Sequence, residues 1–87
     1  MSRFYFHLHD ALGYIPDEEG RELESSADAQ VVAVMGARSI ISAEVAEGRL
    51  DLRGRIEVTD DQGLRLAVIP FRDVVEVLSG QLPPENR

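Results

Sequence analysis

The chain has 87 residues, no cysteine and no lysine, and its sixteen carboxylates against nine arginines give a formal net charge of -7. That length supports one small domain, and the missing cysteine excludes a disulfide scaffold, a zinc finger and a thiol nucleophile. No uninterrupted apolar run approaches about 18 residues, and the opening Met1-Ser2-Arg3-Phe4 lacks a signal-peptide pattern, so a soluble, cytoplasmic α+β domain is expected over residues 1–80, with 81–87 as a flexible tail.

Residues 3–9 (Arg-Phe-Tyr-Phe-His-Leu-His) alternate strictly, with Phe4, Phe6 and Leu8 on one side and Arg3, Tyr5, His7 and His9 on the other. Such alternation with aromatic enrichment predicts a half-buried strand. Asp10–Gly13 supplies turn chemistry, a short second strand follows at Tyr14 and Ile15, and Pro16 confines it to an edge. Asp17-Glu18-Glu19-Gly20 reads as a solvated turn.

Ser25 or Ser26 is the expected N-cap of a long helix over Ala27–Glu47, with Ser25 and Asp28 at capping-box spacing and Gly48 as the stop. Its predicted core-facing arc centres on Val34, Ile41 and Val45, with Val31 and Met35 to one side and Ala33, Ala37 and Ile40 to the other. Between Ala29 and Ala43 the one charged residue is Arg38, so the middle of the helix is apolar nearly all round and a second covering surface is expected.

Arg49–Gly54 is a connection that can tuck Leu50 and Leu52 against the core. Arg55–Thr59 alternates with Ile56 and Val58 inward, Asp60–Gly63 makes a hairpin turn, and Leu64–Ile69 returns with Leu64, Leu66 and Val68 on one face. Phe71, Val74, Val75 and Leu78 fall at i, i+3, i+4 and i+7, which predicts a short second helix closed by Gly80. The fold is thus ββαββα: two β-hairpins forming one antiparallel sheet packed on a long central helix, with a short C-terminal helix.

The runs Phe4-Tyr5-Phe6-His7-Leu8-His9-Asp10, Ile15-Pro16-Asp17-Glu18-Glu19-Gly20-Arg21-Glu22-Leu23, Gly48-Arg49-Leu50-Asp51, Ile56-Glu57-Val58-Thr59-Asp60 with Gly63, and Pro70-Phe71-Arg72-Asp73 together resemble a family of small bacterial proteins known as domain of unknown function 6894. The resemblance covers about residues 3–78 and implies a single small domain, with no activity, cofactor or catalytic residue attached. The family pattern usually carries charge in the first half of the helix, where this chain has Val31, Val32 and Met35, which favours a contact at that place.

His7 and His9 form the sharpest chemical constellation. Residues i and i+2 of a strand point the same way, so both imidazoles could ligate one metal with Asp10, or with Asp17 or Glu19 across the hairpin. The simpler reading is a polar strand face whose histidines pair with neighbouring acids. Asp17–Glu19 lacks the alternating oxygen ligands of a calcium loop, no serine sits in a nucleophile elbow, and the glycines are dispersed as turn residues rather than gathered in a phosphate loop. An enzyme is therefore disfavoured, and no cofactor is expected. Arg49, Arg53, Arg55 and Arg65 could gather near the second hairpin, yet a pI near 4.6 opposes a polyanion, so nucleic acid is disfavoured, and no membrane partner is expected. The function expected is a protein–protein interaction or regulatory module acting as a homodimer through Val31, Val32, Met35 and Ser39, with the C-terminal helix as a rival cover for that face; the alternative is a metal-binding protein.

Overall fold

Five strands and one long helix follow in the order β1 (Ser2–Asp10), β2 (Gly13–Ile15), β3 (Arg21–Leu23), α1 (Ser26–Ala46), β4 (Arg55–Asp60) and β5 (Arg65–Pro70), ending in a 3-10 turn at Phe71–Asp73. This is a computed structural model, and it describes residues 1–84; residues 85–87 of the expected tail lie outside the described part. All strand pairs are antiparallel, in the order β2-β1-β4-β5, with β3 also on β1. The α+β architecture is the one expected, with a third short strand added to the first hairpin.

That added strand explains the first edge of the sheet. β2 pairs with Leu8–Asp10 and β3 with Ser2–Phe4, so both lie along the same edge of β1. Between the pairs Phe4↔Arg21 and Leu8↔Ile15, five residues (16–20) oppose three (5–7), so two residues must leave the ladder. Pro16 cannot donate to a ladder. Asp17 replaces the missing strand: its Oδ2 accepts the Phe6 N–H at 3.1 Å, and its Oδ1 accepts the N–H groups of Glu19 at 3.2 Å and Gly20 at 3.1 Å. Gly20 closes the loop at φ +69°, pressed so tightly on β1 that a Cβ would lie 2.8 Å from both the Phe4 carbonyl oxygen and the Tyr5 ring.

α1 begins where capping chemistry places it. The Ser25 hydroxyl accepts the Asp28 N–H at 3.2 Å. It ends in a Schellman arrangement, with the Gly48 N–H on the Val45 carbonyl and the Arg49 N–H on the Glu44 carbonyl, and Gly48 at φ +92°. The helix is rotated from the expected arc. Its buried residues are Ala29, Ala33, Ala37 and Ile41, one stripe at i+4 spacing, while Val31, Met35 and Val45 are more than half exposed. The reason is steric. Phe4, Ile56, Val58 and Phe71 fill the layer beneath the helix, and alanines opposite them let the two surfaces close. By length and composition α1 is apolar enough to cross a membrane, which counting uninterrupted runs overlooked; here its alanine stripe is packed on the sheet.

The second hairpin closes as its turn chemistry dictates: Asp60 Oδ1 accepts the N–H groups of Gln62 and Leu64, each at 2.9 Å. A register shift at Val58/Thr59 re-aims β5, so Ala67 and Ile69 pack on the core and Leu66 and Val68 stay partly open. Leu52 packs on the core, whereas Leu50 is exposed. The expected C-terminal helix is reduced to the 3-10 turn: Phe71 and Val74 are buried and Val75 packs beside them, but Leu78 stays exposed.

Candidate functional site

The sheet face turned away from α1 carries the odd-numbered residues of β1. Tyr5, His7 and His9 project there with Tyr14 of β2, and β4 adds Arg55, Glu57 and Thr59. Tyr5 and His7 stack with ring centroids 6.3 Å apart and planes 6° from parallel, while Tyr14 lies 4.5 Å from His9 and 6.0 Å from His7. His7 Nδ1 accepts the Asp17 backbone N–H at 3.0 Å, which leaves the ring proton on Nε2 to face the Thr59 hydroxyl at 2.9 Å. His9 Nε2 meets Glu57 Oε1 at 3.1 Å, and an Arg55 guanidinium nitrogen lies 3.4 Å from its Nδ1.

The three metal candidates are thus placed apart in their chemistry. His7 and His9 share a face, but each ring nitrogen already has a protein partner. Asp10 lies on the opposite parity of β1, and its carboxylate accepts the Leu12 N–H at 2.8 Å in the turn. Asp17 does come beside His7, but its carboxylate is committed to backbone donors. Partial burial works against the charged form of Asp17; the backbone N–H groups of Phe6, Gly20 and Glu19 outweigh it and hold the carboxyl below the usual range. Among the described residues no group of three or more His, Asp or Glu side chains is placed to hold a metal. Thr59 and Glu57, the partners that define this cluster, escape a strand-by-strand reading. The signal that finds them is the pairing of β1 with β4, which sets His7 opposite Glu57 and Tyr5 opposite Thr59.

At the end of the sheet the β1–β2 turn, the last turn of α1 and the 49–54 connection enclose a cleft of about 590 Å³. Its arginines are internally paired. Arg49 meets Glu44 Oε2 at 3.0 Å, and Arg53 forks onto Asp51 at 2.8 and 2.9 Å. Its hydrogen bonds hold the Asp51 carboxyl down to about 2. Gly54 at the floor admits no side chain, since a Cβ would lie 2.7 Å from the Phe71 ring. These pairs engage both arginines, and Asp10 adds a third carboxylate held by the Leu12 N–H, so the cleft is acidic and its charges are already engaged.

The remaining sequence-derived surface is the outer side of α1. Val31 is 59% exposed, Met35 is 64% exposed and Ser39 is exposed, while Val32 is half-buried at the margin. Arg38, the one charge on the middle of the helix, is tied to the flank by its Nε, which donates to the Val74 carbonyl at 2.8 Å. The segment after Phe71 therefore reaches one side of α1 and stops short of Val31 and Met35. Among the described residues Val31 and Met35 stay mostly exposed, whereas His7, His9 and Asp10 each have a hydrogen-bond partner.

Comparison with curated proteins and with solved structures found no match. The family model described as "Domain of unknown function (DUF6894)" matches residues 3–72, from the first residues of β1 to the 3-10 turn, which is the whole sheet with its helix. The chain belongs to that family.

Proposed function

We propose that the chain is a small protein–protein interaction module that acts as a homodimer, with the outer face of α1 as the contact. The observation that carries this reading is the exposure of Val31 and Met35 on a helix whose middle bears one charge, already engaged by Val74. Two copies of a chain with net charge -7 repel each other over most of their surface. The uncharged helix face is where a second copy approaches at least electrostatic cost. A bilayer fits the face less well: helices that lie on membranes carry lysine and arginine along the polar flank, and α1 carries Arg38 alone.

The test is mass against concentration by light scattering, for the natural chain and for Val31→Glu combined with Met35→Glu. A dimer that becomes a folded monomer in the variant supports the reading. A natural chain that stays monomeric throughout, or a variant that remains dimeric, overturns it, as does binding to anionic vesicles by a chain that never dimerises.

A further inference from the structure

We infer that His7 is a pH-sensitive latch on the 16–20 loop, closed while its imidazole is neutral and released when the ring takes a second proton. The inference is independent of any contact at α1.

A backbone N–H donates and never accepts. The Asp17 N–H meets His7 Nδ1 at 3.0 Å, so that nitrogen carries a lone pair, and the ring's one proton sits on Nε2, 2.9 Å from the Thr59 hydroxyl oxygen. A second proton has to enter at Nδ1, where it points at another donor. The closed loop and the imidazolium therefore exclude each other. The choice between them falls near neutrality, since an ordinary imidazole titrates at about 6.5.

The groups around the ring come from every neighbouring element. On its own strand His7 lies between Tyr5 and His9, with Tyr14 beside it on β2. The loop brings the Asp17 carboxylate, and β4 brings Thr59 and Glu57, which stands opposite His7 and meets His9 at 3.1 Å. Arg55 lies opposite His9, Arg65 of β5 lies opposite Thr59, and Arg3 pairs with Glu22 of β3 at 3.5 Å. Both signs of charge are thus represented on this face. The contact that separates the two protonation states of His7 by geometry is the Asp17 N–H.

Release has a defined extent. Asp17 ties the loop to β1 twice, by its N–H on His7 and by its Oδ2 on the Phe6 N–H at 3.1 Å. Losing the first tie leaves the second in place. Despite its partial burial, the Asp17 carboxyl is held below the ordinary range by its backbone donors, so it takes up a proton only in stronger acid. Acid therefore opens the loop in two stages, first at the imidazole and later at the carboxylate.

NMR on the isotopically labelled full chain tests this between about pH 7.5 and about pH 5.5, on either side of the ordinary imidazole range. At the upper end His7 should show a bare Nδ1 and a protonated Nε2, with the Asp17 amide protected from exchange. On acidification that amide should lose about fivefold in protection, corrected for the intrinsic pH dependence of exchange, with the same midpoint as the His7 ring. His7→Asn places an amide oxygen near the Nδ1 position that does not titrate, so its loop should keep constant protection. His9→Gln should keep the natural response. A His7 ring carrying its proton on Nδ1 at the upper pH, an Asp17 amide indifferent to the ring's titration, or a response that survives in His7→Asn each overturns the latch. Should His7→Asn fail to fold, the natural chain decides: coincident ring and amide midpoints support the latch, and separate midpoints overturn it.

Discussion

The open face of the sheet and the outer face of α1 both look toward solvent, and they are built on opposite rules. On the sheet, polar groups are closed upon one another: His7 is held between Asp17 and Thr59, His9 between Glu57 and Arg55, and the Asp17 carboxylate by three backbone donors. On the helix, Val31 and Met35 stay more than half exposed among the described residues. A cluster of histidines and acids invites a chemical reading, and an apolar helix face invites a structural one. The contacts reverse that intuition: the polar cluster holds the sheet's edge together, and the apolar face is the surface left exposed.

The contrast is sharpened most by substitutions in the sheet. Gly20→Ala combines a positive φ with a 2.8 Å clash on β1 and should cost about 2–3 kcal/mol, read as a lowered urea midpoint with the edge loop losing hydrogen-exchange protection first. Asp17→Ala orphans three backbone N–H groups and should cost about 2 kcal/mol near neutral pH. Because folding depresses the Asp17 carboxyl, its contribution is present above the ordinary carboxylate range and is lost as pH falls through the lower folded value. Asp17→Asn should therefore flatten the acid limb of stability below about pH 4, and an unchanged limb would show that the loop is held by something else. Val31→Ser with Met35→Ser sits at the small end, within about 0.5 kcal/mol in thermal melts at concentrations where the chain is a monomer. A large loss there would place those side chains in the core and erase the contrast.

Periodicity made much of this fold legible. The alternation of Arg3–His9, the cap at Ser25, the stop at Gly48 and the Asp60–Gly63 turn each act through local chemistry, and each lies where local chemistry puts it. β3 was not legible, because three residues carry no usable period and its place depends on the two-residue insertion opposite Tyr5–His7. The rotation of α1 was hidden for a different reason. Hydrophobicity ranks valine and methionine above alanine, while packing against Phe4, Ile56 and Phe71 selects the smaller side chain. The partners of the histidines were out of reach because Glu57 and Thr59 lie some fifty residues downstream (separations of 48 and 52).

The insertion along β1 also decides how the sheet can be extended. A strand laid against the β2–β3 edge would meet two three-residue segments in registers that differ by two, so no continuous ladder can form there. β5, at the other edge, offers six residues whose register on β4 shifts only at Val58/Thr59, ending at Pro70. Strand addition to this domain is therefore one-sided. A protein with one usable edge can accept a single added strand, but it cannot pass the pattern on from edge to edge into a fibre.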